Sequence, residues 1–540
     1  MSTLTVLLRQ RIRRDRMQLA IWIIGIGLLA LFSASAVEQT YGDAAGREGI
    51  IRLAVSNPAI LMLRGVPQGS GLDAVVFFQI FTFLALMAGL MSTFLAVRHT
   101  RGEEESLRVE LTAATPAARM LPTVATLIHG VIANLVLGVI VALAFIVGGL
   151  EVSGSIITGA ATAMVGIAFL TVGMLAAQFM RTSRGANGLS VALVGAAYLL
   201  RGLGDALGTP SVDGLYMTSA WPSWLSSIGW AQQTSPFSSP TLAPLLLCLA
   251  LAAVCAGAVF VLQASRDSGA SLLPERSGRA DARSTLSGSF GLAWRLQWPT
   301  IVGWAIGAAA TGLLAGLLAK LVVAAAQTDP TLDNALRSIV PGVGGSADQV
   351  LVSALFSIVG VLAAACATQV IIRMHQEESA GMAEALLATP LARVRWFVDY
   401  LVLGLVSVVI VLVVAAVFSS LGILASGTDT AMVGGSFAAA AAQLPAALVY
   451  LGILALIFVI LPAFTLGLGW TVLGLGGFIG IFGGLIGLPE WLRNVSPFTH
   501  TPLVVGTDTD WTGGLWMLAV ALVACAIAVV GMRRRDIRGT

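Results

Sequence analysis

The carboxylates of this chain come in two matching groups. The segment from Arg101 to Pro116 reads RGEEESLRVELTAATP, and the segment from His375 to Pro390 reads HQEESAGMAEALLATP. Aligning them superposes Glu103, Glu104, Glu110, Thr115, Pro116 and Arg119 on Glu377, Glu378, Glu384, Thr389, Pro390 and Arg393. Glutamates about two helical turns apart share one face. Proline disfavours helix at the residue before it, so two short acidic helices are predicted over 102–115 and 376–389. For a single copy, a solvated interfacial helix whose acids merely stay in water would suffice. Two copies of one pattern favour a pair of docking surfaces, whose carboxylates would meet basic or amide groups of a partner.

Little other chemistry is on offer. A phosphate-binding loop needs Gly-x-x-x-x-Gly-Lys-Ser/Thr, and the one lysine, Lys320, sits between Ala319 and Leu321 in an apolar run. Catalytic residues are therefore not predicted, and no nucleotide, metal or other cofactor is expected on this chain itself. None of the four histidines, His99, His129, His375 and His500, has metal-ligand or triad spacing along the sequence. His129 reads either as a proton-relay residue or as a polar contact between helices. Cys248, Cys255, Cys366 and Cys525 lie in apolar runs and read as small core residues.

The elements that must position the glutamates are written in hydrocarbon. With 57% hydrophobic and 11% charged residues and a mean hydropathy of +0.91, the chain is predicted to be an all-α integral membrane protein. Twelve spans are predicted, near 17–37, 72–97, 119–148, 156–180, 187–207, 241–264, 298–326, 350–372, 396–425, 434–460, 464–487 and 512–532. Arginines crowd the segments before the first span and after the second, fourth, sixth, eighth and last, though not the short loop after the tenth near Leu461 to Thr465, and this places both termini in the cytoplasm by the positive-inside rule. Trp221, Trp224, Trp230, Trp491, Trp511 and Trp516 fall at outer ends, as interfacial anchors do. The outer segments 208–240 and 488–511 are predicted to hug the membrane as short caps. An arginine-led apolar run ending in Ser33-Ala-Ser-Ala36 imitates a secretory signal. A retained first span is preferred, because Trp22-Ile-Ile-Gly25 is echoed by Trp304-Ala-Ile-Gly307.

Ser235-Pro-Phe237 and Ser496-Pro-Phe498 extend the repeat. Six spans per half is an even number, so the halves are predicted to be parallel repeats, unlike the inverted repeats of many ion-coupled carriers. The expected organisation is a six-span half at 1–264, a cytoplasmic linker rich in Ser, Gly and Arg at 265–297, and a second six-span half at 298–540, each half with its own coupling helix.

This order resembles the membrane subunit of ABC-2 type exporters, in particular the fused twelve-span permeases of actinobacterial antibiotic and multidrug exporters of the tetronasin-resistance kind. The resemblance implies a bacterial plasma-membrane permease served by two copies of a separate ABC ATPase, which would carry ATP and Mg. The helices 102–115 and 376–389 would act as coupling helices, and the twelve aligned residues named above, in or just after them, would make the contact with those ATPases. Ser379 in place of Glu105 predicts unequal contacts. A hydrophobic or amphipathic small molecule would leave between the halves, with Phe77, Phe81 and Phe356 as candidate pathway residues, although such aromatics also serve packing or face lipid. Membrane lipids are further expected partners, and nucleic acid is not. The alternatives are a proton- or ion-coupled carrier, an exporter of lipid components, and a membrane-embedded enzyme or scaffold.

Overall fold

In a computed structural model of the chain, the described residues are 3–40, 42–56, 58–106, 108, 119–265, 288–328, 347–427, 431–482, 489–505 and 508–535. They form two compact units, Met1–Ser277 and Gly278–Thr540. Six helices in each are long and apolar enough to cross a membrane. Lipid cannot hydrogen-bond an exposed backbone, so spanning segments satisfy their own amides as helices.

In the first unit the six spanning helices are α1 (Thr3–Thr40), α4 (Leu72–Arg98), α6 (Leu121–Val147), α7 (Val152–Phe179), α8 (Ser183–Ala206) and α10 (Leu245–Ser265). Short helices α2 (Ala44–Val55) and α3 (Pro58–Arg64) follow α1, and α5 (Arg101–Glu105) follows α4. The segment between α8 and α10 holds an antiparallel pair of two-residue strands, β1 (Thr209–Pro210) and β2 (Met217–Thr218), a 3-10 turn at Trp221–Leu225 and helix α9 (Ser227–Gln232). It is thus a compact cap with internal structure. Backbone bonds tie it to the α3–α4 connection, from Gly69 N–H to Leu215 and from Met217 N–H to Pro67.

The second unit contains α11 (Ser289–Thr328), α12 (Ala347–Ser379), α14 (Arg393–Ser426), α15 (Ala431–Ile460), α16 (Thr465–Phe482) and α18 (Thr512–Arg534) as its spanning set. Helix α13 (Met382–Leu387) separates α12 from α14. Helix α17 (Glu490–Arg493), a 3-10 turn at Pro497–His500 and the strands β3 (Leu503–Val505) and β4 (Asp508–Asp510) precede α18. One boundary differs from expectation. Residues 289–297, predicted as linker, are the start of α11, because Ala293 is buried and Phe290 and Trp294 pack against the core of the unit.

Within each unit the first span packs on the second and third, and the fourth packs on the second, third and sixth. This shared neighbour pattern is consistent with a duplicated six-span design. Small residues permit the closest approaches, as is usual where lipid supplies no hydrophobic drive between helices. A Cβ at Gly138 on α6 would sit 2.7 Å from the carbonyl oxygen of Gly159 on α7. In the second unit Gly312 and Gly316 of α11 bring their backbone against Ala415 and Ser419 of α14, where a Cβ would meet carbonyl oxygens at 2.2 and 2.1 Å.

Candidate functional site: the acidic ends of α4 and α12

Helix α4 ends at Arg98, and after a single turn α5 carries Glu103, Glu104 and Glu105. Glu103 does not face open solvent. Arg11 Nη2 and Arg14 Nη1 of α1 each lie 3.3 Å from its carboxylate. His99 Nδ1 lies 3.0 Å from Glu103 Oε1. Arg11 also donates to Thr126 Oγ1 at 2.6 Å. The other nitrogen of His99 meets Asp15 Oδ2, which His129 Nε2 approaches to 3.0 Å. Arg98 Nε stands 3.3 Å from Asp15 Oδ1 and Arg98 bonds Gln18. An amphipathic, basic α1 thus meets the acidic start of α5 and the first turns of α6 through one buried polar cluster. Glu104 is held by Arg101, whose Nη1 donates to it at 2.5 Å while its Nε donates to the Ala177 carbonyl at 3.1 Å. Ser183 bonds Glu105.

The second unit solves the same problem with different partners. Glu377 and Glu378 are not on a separate short helix but form the last turn of α12, and both are buried. Arg373 pairs with Glu377 at 3.5 Å. Arg535, just past α18, reaches back to Glu378 at 2.6 Å, lies over the Phe458 ring at 4.6 Å and accepts a bond from Arg393 Nη1 on its carbonyl. Gly381 then breaks the helix in the left-handed region, at φ +72°, a conformation that glycine adopts at no steric cost. The single helix expected over 376–389 is therefore two helices, with Glu384 on α13, exposed and separated from the Glu377 face. Thr389, Pro390 and Arg393 are also exposed. In the first copy Arg119 is exposed in a turn, and Glu110, Thr115 and Pro116 lie outside the described residues.

Phe77 and Phe81 are 2% and 1% exposed and stack on each other at 4.5 Å in the interior of the first unit. Phe356 is equally buried in the core of the second. Within each unit all three are packing residues. An open apolar cleft of about 370 Å³ lies instead among Val449, Val495, Pro497, His500, Trp516 and Met517.

Two features were not anticipated. Asp15, His99 and His129 are brought together from positions far apart in sequence, so no local spacing announces them. At the opposite end of the first unit Arg201 and Asp205 of α8 form a fully buried pair at 2.9 Å. Arg201 donates to the carbonyls of Leu61 and Met62, and Asp205 accepts from Ser219 and Gln232, so the pair fastens α3 and the cap to α8. Its only local signal is an i,i+4 Arg–Asp spacing in an otherwise apolar run.

Residues 286–533 match the family described as multidrug efflux system permease Rv1217c, C-terminal domain. The chain is also 33% identical over 540 residues to the multidrug efflux system permease protein Rv1217c of Mycobacterium tuberculosis (strain ATCC 25618 / H37Rv), an alignment that covers 98% of this chain and 95% of that protein.

Proposed function

Because the chain belongs to the family of multidrug efflux system permeases that includes Rv1217c, we propose that this multi-pass membrane permease is the transport subunit of an ATP-driven exporter. Two copies of a separate ABC ATPase, holding ATP and Mg, would drive it. Its cargo would be a hydrophobic or amphipathic drug-like compound, and it would work in the bacterial plasma membrane with both termini in the cytoplasm.

The observation that carries this reading is the pair of acidic segments, one after the second span of each unit, each braced by arginines of its own unit. A segment that transmits force must be stiffly joined to the spans it moves. Glu103, Glu104, Glu377 and Glu378 would supply that join. Glu105, Arg119, Glu384, Thr389, Pro390 and Arg393, which are exposed, would meet the ATPases, together with Glu110, Thr115 and Pro116 of the first copy.

The test is reconstitution in proteoliposomes with and without a co-expressed ABC ATPase. ATP hydrolysis and drug efflux should appear only with the partner, and a catalytically dead ATPase should abolish both. Efflux that persists without any ATPase and follows a pH gradient would replace this reading with the ion-coupled carrier.

A further inference from the structure

We propose that Asp15, His99 and His129 form a binding site for one divalent transition-metal ion of the zinc class. The three side chains are 2%, 2% and 2% exposed. Each offers one ligand atom, and the atoms all lie within 4.8 Å of one another. His129 Nε2 is 3.0 Å from Asp15 Oδ2, and His99 Nε2 contacts the same oxygen. Ligands about 2.0–2.2 Å from a tetrahedral zinc stand about 3.3 Å from each other, so the trio is already close to the spacing that an ion requires.

The surroundings fit this use. A metal-bound imidazole ordinarily gives its other nitrogen to a carboxylate, which fixes the ring and raises its basicity. Glu103 Oε1 occupies that position on His99, 3.0 Å from Nδ1. Glu103 is in turn held by Arg11 and Arg14, and Arg98 takes the outer oxygen of Asp15, leaving Oδ2 turned towards the imidazoles. Two imidazoles and one carboxylate favour Zn²⁺, Co²⁺ or Ni²⁺ over Mg²⁺ or Ca²⁺, which prefer all-oxygen shells. The ligands come from α1, the residue that follows α4, and α6. An ion here would tie the N-terminal helix to the second and third spans beside the coupling segment.

The experiment uses the full-length protein without a histidine tag, purified in detergent, stripped with chelator and titrated with Co²⁺ and Zn²⁺. The expected result is about one equivalent of Co²⁺ with the visible absorption of a tetrahedral site, displaced by Zn²⁺. His129→Ala and Asp15→Asn should lose that spectrum. Glu103→Gln should keep it while binding roughly 10- to 100-fold more weakly, as loss of an outer-shell carboxylate usually does. Absence of the Co²⁺ spectrum from the unsubstituted protein overturns the proposal, and the trio is then a hydrogen-bonded histidine–carboxylate network only. A spectrum of equal strength in His129→Ala that runs as a monodisperse species overturns it as well. The unsubstituted protein decides the first case, so a variant that fails to fold does not leave the question open.

Discussion

At the scale of single residues, the glutamates divide into those that hold and those that are presented. Glu378 is buried against Arg535, so Glu378→Arg sets two cations together where a pair existed. Removing one member of a buried pair costs about 3–5 kcal/mol, and thermal unfolding in detergent should show a lowered midpoint. Glu384 is exposed on α13. Glu384→Arg is expected to leave the unfolding midpoint unchanged and to reduce capture of the ATPase in a pull-down. Equal behaviour of the two variants in both assays would sink the division. Asp205→Ala should also be costly, about 3–5 kcal/mol, because it strands the fully buried Arg201; the measurement is again the unfolding midpoint. The repeated acids were legible in the sequence because they form a contiguous pattern. Their partners were not, since Arg11 lies 92 positions before Glu103 and Arg535 lies 157 after Glu378. The same distance hid the Asp15, His99 and His129 trio.

At the scale of elements, the spans were legible because hydrocarbon length is a one-dimensional quantity that any window along the chain measures. Breaks and starts were harder. Composition around 289–297 reads as linker, yet tertiary contacts of Phe290, Ala293 and Trp294 extend α11 through it. Gly381 lies between two good helical stretches, and only its positive φ reveals that α12 and α13 are separate. Gly381→Ala should cost about 1–2 kcal/mol for forcing a Cβ into the left-handed region, read as a lowered unfolding midpoint. The same variant should weaken ATPase stimulation, since a helix that straightens to relieve the strain carries Glu384 elsewhere. Gly316→Leu tests helix contact in the same unit. Its side chain would meet the Ser419 carbonyl of α14, and overpacking of this kind typically costs about 1–3 kcal/mol, with loss of the monodisperse species in size-exclusion chromatography as the readout.

At the scale of the whole molecule, the twelve apolar helices found among the described residues, six in each unit and with matching neighbour patterns, agree with the all-α membrane architecture expected from composition. Two acidic segments predict two ATPase copies per chain. Native mass spectrometry of the complex should find that stoichiometry, and Glu384→Arg should shift it towards one bound copy while the first segment keeps its partner. A complex that retains two copies in that variant would remove α13 from the contact. Substrate contacts were not legible, because Phe77, Phe81 and Phe356 carry the same apolar signal whether they pack or line a path.

The bracing arginines also differ in when they are made. Arg11 and Arg14 leave the ribosome before Glu103, so that acid emerges with both of its arginines already present. Glu378 must wait for Arg535, 157 residues later, which at about 5–20 residues per second is roughly 8–30 s of synthesis. During that interval the second unit has its acidic turn without the contact that closes it over Phe458. Its maturation is therefore late and open to membrane quality control, and nascent chains arrested short of Arg535 should be degraded faster than those arrested just beyond it.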